Sequence, residues 1–197
     1  MEDPYCYRCG KPLKHAEQEY CLDCSGRTSY FEMGRALFVH EGKAADAIYR
    51  YKFKNKRVYA ETFAKELAAE YGEQLKKWEI QAIVPVPLHK KRRRQRGFNQ
   101  TELLGRFLSA ETGIPMETKA LFRIRETSRQ KTLGHRGRMW NLHNAFAVSR
   151  DWIPVKNVLL LDDIFTTGST INKAAKMLKI AGVQKVYFLT ISIGQGL

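Results

Sequence analysis

From Asn157 to Thr170 the chain reads Asn-Val-Leu-Leu-Leu-Asp-Asp-Ile-Phe-Thr-Thr-Gly-Ser-Thr, and this stretch restricts the fold more tightly than any other. Val158 to Leu161 is an unbroken apolar run, the mark of a strand buried on both faces, as in a parallel sheet. Asp162 and Asp163 set two carboxylates where that strand is expected to end. Thr166, Thr167, Gly168, Ser169 and Thr170 then supply hydroxyls and a glycine, ahead of a helical pattern with Ile171, Ala174, Ala175 and Leu178 on one face. A helix start leaves backbone amides unpaired and carries partial positive charge. Gly168 is expected to let the backbone approach a ligand, which makes the turn a site for a phosphate. Two carboxylates beside a phosphate need a task of their own, and sugar hydroxyls, or a Mg²⁺ ion held through water, give them one. The expected ligand is therefore a phosphorylated sugar. The plainer alternative is a buried strand, a polar turn and a capped helix with no ligand, but paired acids at a strand end are costly without a role.

The stretch resembles the 5-phosphoribosyl-1-pyrophosphate (PRPP) binding motif of type I phosphoribosyltransferases: an apolar strand, two acids, then a Thr-Thr-Gly-Ser-Thr loop.

A second constraint comes from the other end. Cys6, Cys9, Cys21 and Cys24 form two C-x₂-C pairs separated by eleven residues, and they are all the cysteines in the chain. In a reducing compartment such thiolates suit tetrahedral Zn²⁺, in a closed site that staples the chain and does no chemistry. A disulfide pair or a redox C-x-x-C motif is the alternative. Gly10 and Gly26, each after or near the second cysteine of its pair, are expected at positive φ. His15 reads as an exposed loop residue, because four cysteines complete the shell. The expected division is a four-cysteine module over 1–33 and a larger domain over 34–197.

The 197 residues carry a net charge of +14, which points to a polyanion as partner: nucleic acid, an anionic membrane face or phosphorylated ligands. No stretch approaches the roughly 20 apolar residues of a membrane span. Met1-Glu2-Asp3-Pro4 lacks the basic start and apolar run of a signal peptide, so a cytoplasmic location is expected.

Between these landmarks, Arg35–His40 and Ala82–Val86 read as strands, and Lys43–Phe53 and Tyr59–Trp78 as helices. Pro85 and Pro87 end the pairing of the second strand. Six basic residues follow within seven positions, Lys90, Lys91, Arg92, Arg93, Arg94 and Arg96, before a helix with Leu103, Leu104, Phe107 and Leu108 inward. A basic run is usually a solvated face, but ligands of open α/β sheets bind past strand ends, so contact with a polyanion is the stronger reading. After a strand at Ala120–Ile124, the long loop from Arg125 to Asn144 carries the cations Arg125, Arg129, Lys131, Arg136 and Arg138 against one acid, Glu126, and also holds Gln130. Loops of that length are usually functional or mobile. There is no nucleophile elbow and no G-x-x-x-x-G-K-[ST], which sets aside a Ser-His-Asp hydrolase and a P-loop nucleotide hydrolase.

Taken together, the two cysteine pairs, Pro85-Val86-Pro87-Leu88 with Arg96-Gly97-Phe98-Asn99-Gln100, the set Gln130, Leu133, Arg138 and Asn141, and the Asp162–Thr170 stretch resemble the ComF/GntX family. The resemblance implies an α/β fold of the type I phosphoribosyltransferase kind, a mostly parallel twisted sheet flanked by helices, with a small N-terminal zinc ribbon. It implies that Asp162 and Asp163 meet ribose hydroxyls and Thr166–Thr170 the 5-phosphate, with Mg²⁺ accompanying PRPP. The loops after Pro87 and from Arg125 would touch pyrophosphate or nucleic acid. It implies a role in natural transformation, with single-stranded DNA as partner. Other competence proteins, such as a DNA-translocating helicase, would hold the chain at the inner face of the membrane. An active PRPP-dependent phosphoribosyltransferase, or a PRPP-sensing regulator, is the alternative function, although only the cysteine module is left to cover a base.

Overall fold

The computed structural model describes residues 4–54, 57–88, 93–94, 97–123 and 145–195. Four parallel strands form the main sheet: β1 (Met33–Val39), β2 (Ala82–Pro85), β5 (Asn157–Phe165) and β6 (Lys185–Ile193), in the order β1-β6-β5-β2. The two central strands, β6 and β5, are covered on both faces, as strands inside a parallel sheet are. Val158 to Leu161 and Val186 to Ile193 are buried throughout. Two short strands, β3 (Leu121–Arg123) and β4 (Phe146–Val148), pair antiparallel outside this sheet. Leu121 and Phe146 were readable as strand residues, but three-residue strands carry too little pattern to reveal their partner.

Helices α2 (Gly42–Phe53), α3 (Val58–Lys77) and α4 (Gln100–Thr112) pack one sheet face. The expected helical stripe is present: Phe63, Leu67, Tyr71 and Leu75 of α3 are buried, and so are Leu104 and Leu108 of α4. Thr101 Oγ1 donates to the Val86 carbonyl at 2.7 Å and ties the start of α4 to the chain leaving β2. The other face is covered by α5 (Ser169–Ile180) and the cysteine segment, which includes the short helix α1 (Leu22–Ser25).

The four cysteines share this second core with Phe31, Phe165 and Phe188. Phe188 stacks on Phe165 at 4.6 Å between centroids, and Phe31 meets Phe188 edge-on at 5.0 Å. Asn172 on the first turn of α5 fixes the linking segment: its Oδ1 accepts from the Tyr30 amide at 2.7 Å and its Nδ2 donates to the Thr28 carbonyl at 2.9 Å. No helix among the described residues is long and apolar enough to cross a membrane.

Candidate functional site

β5 does not stop before the acids. It pairs with β6 through Asp162↔Thr190 and on to Phe165↔Ile193, so both aspartates lie inside the strand, three and two residues before its last residue. The carboxyl ends of β5 and β6 are where an open parallel sheet receives ligands. Consecutive strand residues face opposite ways, and the two acids accordingly have different surroundings.

Asp163 is paired. Lys52 Nζ, from the last turn of α2, lies 2.8 Å from its Oδ1, and both side chains are only 13% exposed. Asp162 Oδ1 accepts the Asp163 amide at 2.8 Å. Burial, then the neighbouring Asp163 carboxylate, push the Asp162 carboxyl up to about 8, against the Asp163 amide, Lys52 and Arg123, which pull it down. The acids were expected to be free for a ligand; one of them already holds a cation supplied by the chain. In the sequence Lys52 opens a basic, aromatic tail over 52–57 that reads equally as a nucleic-acid surface or a solvated helix end, not as a partner of the acids. The available signal was its spacing: it follows Ile48 by one helical turn and sits next to Tyr51, and both of those are fully buried.

The raised pKa of Asp162 makes a prediction. A proton taken up on folding favours the folded state at low pH, fully below the unfolded value of 3.8, and that advantage is lost as pH rises through about 8. Asp162→Asn mimics the protonated acid. The variant should come closest to the parent below pH 3.8 and gain on it as pH rises, unfolding about 3 °C or more higher at pH 8.5, a shift of roughly 1 kcal/mol or more. Thermal melts across that range check it, and parallel curves for the two proteins refute it.

Beyond the acids, Gly168 caps α5 at φ +74°, and no side chain caps this helix start. Thr166, Thr167, Ser169 and Thr170 are exposed around it. Gly168 was expected to admit a ligand; its requirement is internal. A Cβ there would lie 2.7 Å from the Phe165 ring, and the positive φ itself disfavours a side chain. A cleft of about 190 Å³ opens on the cysteine-segment side of this turn, lined by Thr167, Gly168, Ser169 and Lys173 opposite Arg27 and Thr28. Neither acid lines that cleft.

The cysteine quartet assembles as expected. The ligand sulfurs of Cys6, Cys9, Cys21 and Cys24 all lie within 4.8 Å of one another, and all four residues are buried. Tetrahedral Zn²⁺ at about 2.3 Å from each sulfur spaces them roughly 3.8 Å apart, and Cys9 and Cys21 stand at 3.6 Å. The quartet is compatible with a structural zinc ion. Lys11, nearly buried, meets Asp23 at 2.7 Å beside it. Gly10 has the expected positive φ of 78°, whereas Gly26 is at −97°, because α1 ends there in an ordinary conformation. His15 is exposed.

Mg²⁺ fits the acid pair less well. A divalent ion there meets the Lys52 ammonium, and one oxygen of each aspartate is already engaged. Of the basic residues expected to contact pyrophosphate or nucleic acid, Arg93 and Arg94 are exposed, and Arg93 reaches Glu102 at 3.4 Å. Lys90, Lys91, Arg92, Arg96, Gln130, Lys131, Arg136 and Arg138 lie outside the described residues.

The chain matches no family model. Among curated proteins, it is 35% identical over 190 residues to "Competence protein F" of Haemophilus influenzae, covering 93% of this chain and 82% of that protein. It is 34% identical to "Competence protein ComFC" of Streptococcus pneumoniae, covering 90% of this chain and 77% of that protein. It is 30% identical to "DNA utilization protein YhgH" of Escherichia coli K12, covering 92% and 80%. Among solved structures, the fold resembles a glutamine PRPP amidotransferase from B. subtilis complexed with ADP and GMP. That match has a TM-score of 0.51 at 18% identity and covers 73% of this chain and 30% of that one. A second match, an allosteric regulatory enzyme of purine biosynthesis, has a TM-score of 0.50 at 19% identity. These two likenesses show a phosphoribosyltransferase-like fold.

Proposed function

We propose, from the fact that this chain belongs to the competence protein F family, that it acts in DNA uptake or utilisation by binding single-stranded DNA and carries a pocket for a phosphorylated ribose such as PRPP. The observation that carries the pocket is a juxtaposition: two acids and an uncapped, hydroxyl-rich helix start succeed one another at the carboxyl end of a central parallel strand. In this reading the first turn of α5 takes the 5-phosphate through backbone amides and the Thr166–Thr170 hydroxyls. Asp162 and Asp163 take the ribose hydroxyls. The four cysteines hold zinc and keep the N-terminal segment on the domain.

The DNA half of the proposal is supported by the net charge of +14 and by basic residues grouped after β2 and after β3. Cations positioned along a backbone give affinity that falls steeply with salt, through release of counterions. Fluorescence anisotropy with a labelled oligothymidine should show binding that weakens roughly a hundredfold between about 50 and 200 mM salt. Salt-independent affinity, or none at low salt, refutes it. Pyrophosphate release from PRPP in the presence of a panel of bases would instead favour the active phosphoribosyltransferase.

A further inference from the structure

We infer that Lys52 is the built-in counter-ion of the acid pair, and that the pocket therefore takes a ribose phosphate with no divalent cation at Asp162 and Asp163. The inference rests on the pocket proposed above and names how it recognises its ligand.

The Lys52–Asp163 contact is 2.8 Å long between side chains that are each 13% exposed. A pair so sheltered gains little net stability, because taking two charges out of water offsets their attraction. Stability alone therefore does not account for a lysine at this position. Its placement is nonetheless firm. Ile48 and Tyr51 pin the inward face of α2, with 1% and 0% exposure, and the Tyr51 hydroxyl donates to the Gln100 carbonyl at 2.6 Å. The helix thus delivers an ammonium to the carboxyl end of β5 while its opposite face stays outside; Tyr49 and Phe53 are more than half exposed.

An ammonium has three protons to donate. One direction is used by Asp163, and the others suit hydroxyl oxygens or an anionic group of a sugar phosphate. Asp163 can accept from a ribose hydroxyl while keeping Lys52. A divalent ion entering the same space would be repelled by the ammonium and would have to take Asp163 from it. Lys52 thus does at this site what a cation bound with the ligand would otherwise do.

The test uses the full zinc-loaded chain and ribose 5-phosphate, which lacks the pyrophosphate that itself binds Mg²⁺. Calorimetric titrations are run in buffer freed of divalent cations before the zinc-loaded protein is added, and in the same buffer with Mg²⁺. The parent should bind equally, within about twofold, in both. Lys52→Met keeps the apolar stem and should bind about tenfold or more weaker in the Mg²⁺-free buffer, a loss of roughly 1.4 kcal/mol. Lys52→Arg should keep most of the affinity. If Mg²⁺ tightens binding by the parent tenfold, or if Lys52→Met binds like the parent in the Mg²⁺-free buffer, the inference is wrong while the pocket stands. If the parent binds no ribose 5-phosphate in either buffer, the pocket reading fails and takes the inference with it. Should Lys52→Met not fold, the Mg²⁺ dependence of the parent and of Lys52→Arg still decides.

Discussion

Replacing Cys9 with serine should lower the midpoint of thermal unfolding by about 10 °C or more and abolish zinc binding. The cysteine segment has no core of its own to fall back on. Its four thiols are buried in the same cluster as Phe31, Phe165 and Phe188, and Cys6 and Cys9 are wholly inaccessible. Binding of a structural zinc ion contributes about 10 kcal/mol or more of apparent free energy, which is folding free energy where the site forms only on folding. Losing even about 3 to 5 kcal/mol of it moves the midpoint by roughly 2–4 °C per kcal/mol in a chain of this size. Calorimetry with a metal assay checks both parts. A purified parent with no zinc, or a Cys9→Ser variant that melts with the parent, refutes the structural role. His15→Ala is the control and should change neither, because His15 is exposed.

The second large effect is expected from a single methyl group. In Gly34→Ala the new Cβ would fall 2.0–2.2 Å from three atoms of the Phe188 ring. That ring has no room to retreat. It lies on β6, between β1 and β5, stacked on Phe165 and abutted by Phe31. Overpacking of this kind costs about 3 kcal/mol, or roughly 6–12 °C in the midpoint. The damage should also reach the candidate phosphate turn, because the Phe165 ring packs directly under Gly168. Gly72→Ala is the contrasting change. A Cβ there meets nothing within 4 Å, and Gly72 lies inside α3, where alanine favours the helix by about 0.5–1 kcal/mol. Denaturant titrations of the two variants should therefore shift in opposite directions, and a shift of the same sign refutes the argument.

The main sheet was legible because its central strands are buried on both faces and so carry apolar runs, Val158–Leu161 and Val186–Leu189. The helices α3 and α4 were legible because one face of each repeats at helical spacing. The cysteine pairs were legible because their spacing has few other uses. What escaped depends on pairing between distant residues. The extension of β5 past the acids is set by its partner, since β6 continues alongside it to Ile193. The pairing of β3 with β4 is set by the third dimension, not by a local turn. Gly34 reads as an ordinary boundary residue until Phe188 is seen above it. Lys52 shares its spacing with the core residues of α2, but its basic, aromatic surroundings suggested a nucleic-acid surface or a solvated helix end, and only the position of Asp163 makes an inward lysine sensible. The sequence thus revealed the acids but not the cation that answers one of them.

The strand order β1-β6-β5-β2 has a consequence for biosynthesis. On the ribosome, β1 is made first among these strands, yet its neighbour in the sheet is β6, made last. While most of the chain is being translated, Met33 to Val39 therefore have no main-chain partner in this sheet. The nascent polypeptide can form its helices early, but it can close the sheet only after Ile193 has cleared the exit tunnel. Closure of the sheet in the nascent chain therefore waits on its last strand, and a chain still lacking β6 is the form most in need of a chaperone.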